Sequence, residues 1–323
     1  MNRNIIKKIS VLSTVTLLLF CFTIANCFSE TTGASFLNIG IGARPIGMGS
    51  AFTAVATDVT AIHWNPAGLA QLSKREISAM HTEWLVDTKL DFISYAHPLK
   101  SGVVAGSVIY LSQGEIEGRD VNRQRTNPFS ANDLAVTLSY SKVMPELSKS
   151  LSAGLNLKII QQNIENHTAQ GVAIDLGTLY QTPINNLKAG LSIQNIGPQM
   201  KFISEGYNLP LTVTAGLGYT ISAITVAVDI KQQIYEGRTI VSVGTEYCPV
   251  NILALRAGYA GKLIEGVISN KDIITQDNID KTNFTGFGAG LGLKLFTNYQ
   301  MDYSFVPYGL LGDTHRISFS ARF

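Results

Sequence analysis

Apolar and polar side chains alternate one for one along much of this chain. In the last nine residues Ile317, Phe319, Ala321 and Phe323 fall on one side, and Arg316, Ser318, Ser320 and Arg322 on the other. That period of two is the signature of a β-strand with two different surroundings. Leu151, Ala153, Leu155, Leu157 and Ile159 oppose Ser152, Gly154, Asn156 and Lys158 in the same way. So do Ile224, Val226, Val228 and Ile230 against Thr225, Ala227, Asp229 and Lys231, and Phe287, Ala289, Leu291, Leu293 and Leu295 against Gly288, Gly290, Gly292 and Lys294. Runs of this kind bounded by turn residues predict fourteen strands. They are Glu76–Trp84, Lys89–Pro98, Val103–Gln113, Asp133–Lys142, Leu151–Ile164, Gly171–Tyr180, Leu187–Ile196, Leu211–Thr220, Ile224–Ile234, Arg238–Cys248, Leu253–Ala260, Phe284–Phe296, Tyr299–Tyr308 and His315–Phe323. The fold is therefore all-β, and either a soluble sandwich or a transmembrane barrel has this period.

Connection lengths favour the barrel. Links from even to odd strands (Leu99–Gly102, Val143–Ser150, Gln181–Asn186, Ile221–Ala223, Pro249–Ile252, Thr297–Asn298) are all short, whereas the two longest, Gly114–Asn132 and Gly261–Asn283, run from odd to even. Outer-membrane barrels have short periplasmic turns and long outer loops, and this sorting by parity matches them. Tyr140, Tyr180, Tyr219, Tyr247, Phe296, Tyr299 and Tyr308 near strand ends supply candidate aromatic girdles.

The amino terminus predicts export. Arg3, Lys7 and Lys8 precede an apolar run from Ile9 to Ile24, and Ala25-Asn26-Cys27 is an acceptable cleavage site, so residues 1–27 read as a signal peptide. Asn26 stands where a lipoprotein leader would carry Gly, Ala or Ser. Removing the three basic residues of the leader leaves 22 basic against 23 acidic residues, which gives no nucleic-acid footprint. Cys248 is then the only thiol, so neither an internal disulfide nor a cysteine metal site can form. Hydrophobic residues make up 46% of the chain, yet beyond the leader no stretch approaches the roughly 20 apolar residues of a membrane helix. That apolarity has to reside in strands.

Residues 28–75 do not read as barrel. The Gly- and Ala-rich run from Gly40 to Asp58 predicts a tight turn and a short helix packed closely against something. Asp58 is a candidate cap for a second short helix through His63, and Asn65-Pro66 an N-cap with proline at the first helical position of Ala67–Leu72.

These residues carry a family resemblance. Gly42-Ala-Arg-Pro-Ile-Gly-Met-Gly-Ser-Ala-Phe-Thr-Ala-Val-Ala-Thr-Asp-Val-Thr-Ala-Ile-His-Trp-Asn-Pro-Ala-Gly-Leu-Ala70 resembles the amino-terminal signature of the PorV/PorQ family, which is similar to the FadL group of fatty-acid transporters. Asn65-Pro66-Ala67 matches the Asn-Pro-Ala of the FadL-type hatch. The resemblance implies an antiparallel transmembrane barrel of about fourteen strands over 76–323, plugged by a small helical hatch over 28–75, in the outer membrane of a Gram-negative-type bacterium. Gly47, Met48, Gly49, Asp58, Trp64, Asn65, Pro66 and Ala67 are the expected hatch residues. The terminal Phe323 is similar to the aromatic by which bacterial barrel precursors are recognised, so lipid and the barrel-assembly machinery are expected partners.

Two functions are implied. PorV-type proteins grip secreted cargo proteins at the cell surface for a type IX secretion channel; FadL-type proteins carry hydrophobic molecules across the membrane. The first asks for adhesive outer loops, for which Phe129, Ile264, Ile268, Ile273 and Ile274 are candidates. The second asks for a weak point in the wall, for which Gly106 in the third strand is the candidate kink. The signature is closer to PorV/PorQ. No enzyme, cofactor or metal is expected: His63, His81, His97, His167 and His315 are scattered, and the Ser78/His81 pair has no third orienting group.

Overall fold

The structure, a computed structural model, describes residues 31–85, 87–264, 267–269, 286–309 and 312–323. The predicted signal peptide, Ile273 and Ile274 lie outside the described residues. Strands, in chain order, are β1 (Glu76–Glu83), β2 (Thr88–Leu99), β3 (Gly102–Gln113), β4 (Ala131–Val143), β5 (Leu151–Ile164), β6 (His167–Gln181), β7 (Leu187–Ile196), β8 (Met200–Phe202), β9 (Glu205–Tyr207), β10 (Thr212–Ile221), β11 (Ile224–Gln233), β12 (Arg238–Val250), β13 (Leu253–Ile264), β14 (Val267–Ser269), β15 (Phe287–Leu295), β16 (Tyr299–Pro307) and β17 (Asp313–Arg322).

Fourteen of them form one closed antiparallel barrel. Each pairs with its neighbours in sequence, β7 with β10 across the β8–β9 hairpin, β13 with β15, and β17 back onto β1. Closure leaves no sheet edge, the condition for a β-structure to cross a bilayer. All fourteen lie where the alternation predicts them, with shifted ends. β6 begins at His167 rather than Gly171, because the turn after β5 needs only Glu165 and Asn166. β13 runs on to Ile264 and pairs with β14, so Ile264 and Ile268 sit on strands. The segment between β7 and β10 holds the separate β8–β9 hairpin.

The alternation resolves into a lipid face and a lumen face. Leu155, Leu157, Ile159, Val226, Val228, Leu291, Leu293, Ile317 and Phe319 are exposed, while their neighbours Asn156, Lys158, Asp229, Arg316 and Ser318 are buried. An inverted pattern of this kind suits a wall whose outside is hydrocarbon. Connections β2–β3, β4–β5, β6–β7, β10–β11, β12–β13 and β15–β16 gather at one end with the start of β1 and the close of β17. These are the short turns, so this end faces the periplasm. Tyr140, Tyr180, Tyr219, Tyr247 and Tyr299 point outward near it and form a girdle. Tyr308 lies at the other end and packs edge-on against Trp84, ring centroids 5.3 Å apart.

Phe323 serves closure directly. Its N–H donates to the Arg75 carbonyl (3.0 Å) and its carbonyl accepts from the Arg75 N–H (3.1 Å), while its ring stacks on Tyr95 of β2. Arg322 beside it donates to Glu76 (3.0 Å), so the two ends of the barrel are tied by backbone and charge together.

Candidate functional site

The lumen is occupied by residues 31–75, which thread it from the outer mouth to the periplasmic end. At the outer mouth Thr32 Oγ1 and Asn38 Nδ2 donate to Glu236 in the β11–β12 turn (2.6 and 3.1 Å), and the Ala34 N–H donates to Gln162 of β5 (2.8 Å). Four short helical pieces follow: a 3₁₀ turn Ser35–Asn38, a helix Ala43–Gly47, a helix Ala61–Trp64 and a 3₁₀ helix Pro66–Gln71. The helix expected before Asp58 is thus one turn long, the rest being turns. With Gly42 and Gly49 at positive φ (88° and 60°) on either side, the chain reverses too sharply for more. Asp58, expected as a cap, lies ahead of the cap position: Thr60 is the N-cap of Ala61–Trp64, with no side-chain cap hydrogen bond, and the Thr60 N–H donates to Asp58 Oδ1 (2.9 Å). Asn65 caps as expected: its Oδ1 accepts from the Ala67 N–H (3.1 Å) with Pro66 at the first helical position.

So irregular a backbone at membrane depth must have every polar group satisfied by protein. The wall reaches inward to do this. Asp229 of β11 accepts from the Phe52 and Thr53 N–H groups (2.9 and 2.8 Å), Ser318 of β17 from Ala43 N–H (2.9 Å), and Met80 Sδ of β1 from Gly42 N–H (3.0 Å). Asn156 of β5 donates to the Ile62 carbonyl (2.7 Å), and Ser141 of β4 to that of Ala67 (3.3 Å). Asn65 Nδ2 returns the compliment, donating to Thr53 O (2.9 Å) and to Thr178 O of β6 (3.0 Å).

Glycines on the lumen face let the hatch backbone come this close. A Cβ on Gly154 or Gly177 would strike Asn65-Pro66-Ala67, one on Gly190 would strike Thr53, one on Gly244 or Gly258 would strike Met48 and Gly49, and one on Gly288 would strike Ile46. Gly47 in turn lies against Gly290, where its Cβ would be 2.9 Å from the Gly290 Cα. Met48 and Asn65 have no exposed surface, and Trp64 donates Nε1–H to the Ile41 carbonyl (2.8 Å) with its ring edge-on to Phe52. The plug is fitted, with backbone against backbone.

At the periplasmic end a chain of charges fixes it. Arg44 forks onto Glu246 of β12 (both contacts 2.8 Å) and also reaches Asp58 (2.8 Å); Arg256 of β13 bridges Glu246 (2.7 Å) and Asp302 of β16 (2.6 Å). Burial would push the Arg44 guanidinium down, but Glu246 and Asp58 together hold it well above its ordinary value. None of Glu246, Arg256, Asp302, Asn156 and Asp229 was singled out from the sequence. Their signal was present all the same: each is polar on the lumen phase of its strand, and a polar group buried there needs a partner.

His63 lies in the same lumen, its ring edge-on to Trp64 at 5.4 Å. Burial, and then the nearby Lys158 and Lys231, lower its pKa well below 6.5. The folded protein therefore refuses a proton that the unfolded chain accepts, so stability should fall as pH drops through 6.5. A His63→Gln variant should lose that acid-side slope in heat-unfolding runs between pH 7.5 and 5.5, all other slopes being kept.

The remaining sequence candidates fall elsewhere. Gly106 faces outward in an unbroken ladder, paired with Tyr95 of β2 and Leu138 of β4 without a register shift, so the wall is not kinked there. The expectation failed because a glycine on the lipid face removes a side chain without disturbing either row of backbone hydrogen bonds. Ser78 faces the lumen while His81 pairs outside with Asp91 (2.7 Å), on opposite sides of β1. Phe129 is half-buried and exchanges two backbone hydrogen bonds with Ile116 (2.8 and 3.0 Å), which extends the β3–β4 hairpin above the barrel. Val121 at its tip is 98% exposed, and Ile203 at the tip of β8–β9 is 80% exposed.

Closed wall, lumen-filling hatch and girdle together define an outer-membrane β-barrel of the FadL-like kind. The chain belongs to the PorV family, the type IX secretion system protein PorV, whose family model matches residues 24–234. No curated protein matches it in sequence. Among solved structures it is similar to the Ralstonia pickettii toluene transporter TbuX (12% identity, TM-score 0.63, covering 88% of this chain and 98% of that one). It is also similar to a deletion mutant of the monoaromatic hydrocarbon channel TodX (15%, 0.61, 88% and 99%) and to a Pseudomonas aeruginosa FadL homologue (10%, 0.57, 92% and 99%). At such identities the likeness is one of fold.

Proposed function

We propose that this protein binds secreted-protein cargo at the cell surface for a type IX-type secretion machine, and that residues 1–27 are the signal peptide that sends it to the outer membrane. The observation that carries the reading is the filled lumen. Among the described residues hatch backbone lies against wall backbone at Gly47–Gly290 and around Gly154, Gly244 and Gly258. Among the described residues the upper lumen is core: Phe36 and Leu37 of the hatch belong to one buried cluster with Leu90, Phe92, Ile109, Leu111, Ile160, Met200 and Leu209. A continuous wall beside Gly106 offers no sideways exit. What the molecule does present outward is a pair of hairpins tipped by Val121 and Ile203, apolar residues held in water.

The relatives in fold that are named as hydrocarbon channels raise the other reading, import of hydrophobic molecules. Purification in mild detergent from the native outer membrane, followed by mass spectrometry of all bound protein and lipid, separates the two. Secreted proteins sharing one carboxy-terminal domain are expected; hydrophobic small molecules without such proteins would overturn the proposal.

A further inference from the structure

One guanidinium in the lumen has no carboxylate partner among the described residues. Lys158 meets Asp175 at 2.8 Å, Arg256 meets Glu246 and Asp302, Arg44 meets Glu246 and Asp58, and Arg322 meets Glu76. Arg316 of β17 is 1% exposed and meets no carboxylate among the described residues. Its guanidinium lies over the Trp84 ring at 4.8 Å and donates, at a long 3.4 Å, to Thr314 Oγ1. Its Nε–H has no partner. Directly across the β16–β17 ladder stands Ser304, whose hydroxyl is also buried and unpartnered. On the β1 side, Thr82 is already committed to the His315 carbonyl (2.7 Å).

A buried cation without an anion is costly, and an aromatic face offsets only part of that cost. A guanidinium edge with a free Nε–H beside a free hydroxyl matches a carboxylate, which accepts two parallel hydrogen bonds and a third from the side. The site is close to the outer rim: Arg316 is the fourth residue of β17 from that end, and Trp84 and Tyr308 directly follow β1 and β16. The chain's own Leu90, Phe92 and Val306 belong to the buried core cluster, which argues against a long acyl tail. A short acidic group entering from outside would satisfy both the Nε–H and the hydroxyl.

We propose that Arg316 and Ser304 form a receptor for a carboxylate of a protein segment, a chain terminus or an acidic side chain, that enters at the outer mouth beneath Trp84 and Tyr308. The proposal rests on the cargo-binding reading and names the chemistry by which cargo is held.

Trp84 is the natural reporter, since Trp64 is the only other tryptophan and Trp64→Phe silences it. In that background the full chain in mild detergent is titrated with acetyl-triglycine bearing a free carboxylate, and with its carboxamide. A saturable change in Trp84 fluorescence is expected for the acid and none for the amide, with affinity lowered about tenfold or more in Arg316→Gln. Arg316→Lys, which keeps the charge but loses the fork, should also weaken it. Equal responses to acid and amide, or no saturable response below about 10 mM, would overturn the proposal. If Arg316→Gln fails to fold, the acid-against-amide contrast in the Arg316-bearing protein and in Ser304→Ala decides. Co-purification keeps the two readings apart: cargo retained by Arg316→Gln as well as by the Arg316 protein sinks this receptor alone, whereas no cargo on either sinks the cargo reading and leaves the titration to stand by itself.

Discussion

Gly258→Leu should expel the hatch and turn a closed barrel into an open one. At this position a side chain has nowhere to go, because its Cβ would sit on the backbone of Met48 and Gly49, and Gly49 is itself held at φ 60°. Overpacking of a core usually costs about 1 to 3 kcal/mol when side chains can shift. Here the obstacle is backbone on both sides, so the hatch has to leave, giving up its hydrogen bonds to the acceptors Asp229 and Ser318 and from the donor Asn156. The measurement is current across a planar bilayer together with the heat-induced gel shift. The variant should conduct and unfold at a lower temperature, and Gly154→Leu, on the far wall against Pro66 and Ala67, should behave alike. Gly106→Ala is the matched control. The nearest atoms to its Cβ are 3.6 and 3.8 Å away on the lipid side, so its stability should stay within about 0.5 kcal/mol of the parent. A silent Gly258→Leu would mean that the hatch moves freely and that its fit against the wall does not hold the lumen shut.

This contrast between two glycines also shows how much of the protein was readable in its sequence. The barrel was legible because a wall between lipid and lumen imposes a period of two on every strand, and the loop-length parity then gave its direction. The hatch was legible as a local motif, down to Asn65 capping ahead of Pro66. What alternation does not tell is depth: Gly106 and Gly258 are both strand glycines, and only their phase, outward for one and inward for the other, separates an idle position from a contact. The charge network was hidden for a related reason. Arg44, Glu246, Arg256 and Asp302 come from four segments up to 258 residues apart, and single-sequence periodicity says that each points inward but not which ones meet. The outer-loop candidates Ile264 and Ile268 lie on β13 and β14, the strand extension that Gly261–Asn283 also allowed.

The second large effect is expected from Glu246→Gln. Glu246 is the hinge of an alternating row, Asp58, Arg44, Glu246, Arg256, Asp302, and both of its oxygens are occupied by guanidinium N–H groups. The amide that replaces it is neutral and offers one acceptor oxygen in place of two, so Arg44 loses its fork and Arg256 keeps only Asp302. Removing one partner from a buried ion pair typically costs about 3 to 5 kcal/mol, most of it from the charge left behind. Because Arg44 belongs to the hatch and Glu246 to the wall, the loss should appear first as release of the hatch. Limited proteolysis of folded protein in detergent should cut near Arg44 in the variant and spare the parent, and the heat-shift midpoint should fall. Arg44→Met alone should do nearly the same. Combining Arg44→Met with Glu246→Leu should cost less than the two single changes summed, since the pair is then replaced by apolar groups with no orphaned charge between them. Strict additivity in that cycle would show that Arg44 and Glu246 act independently, and that the glycine-lined fit alone keeps the lumen shut.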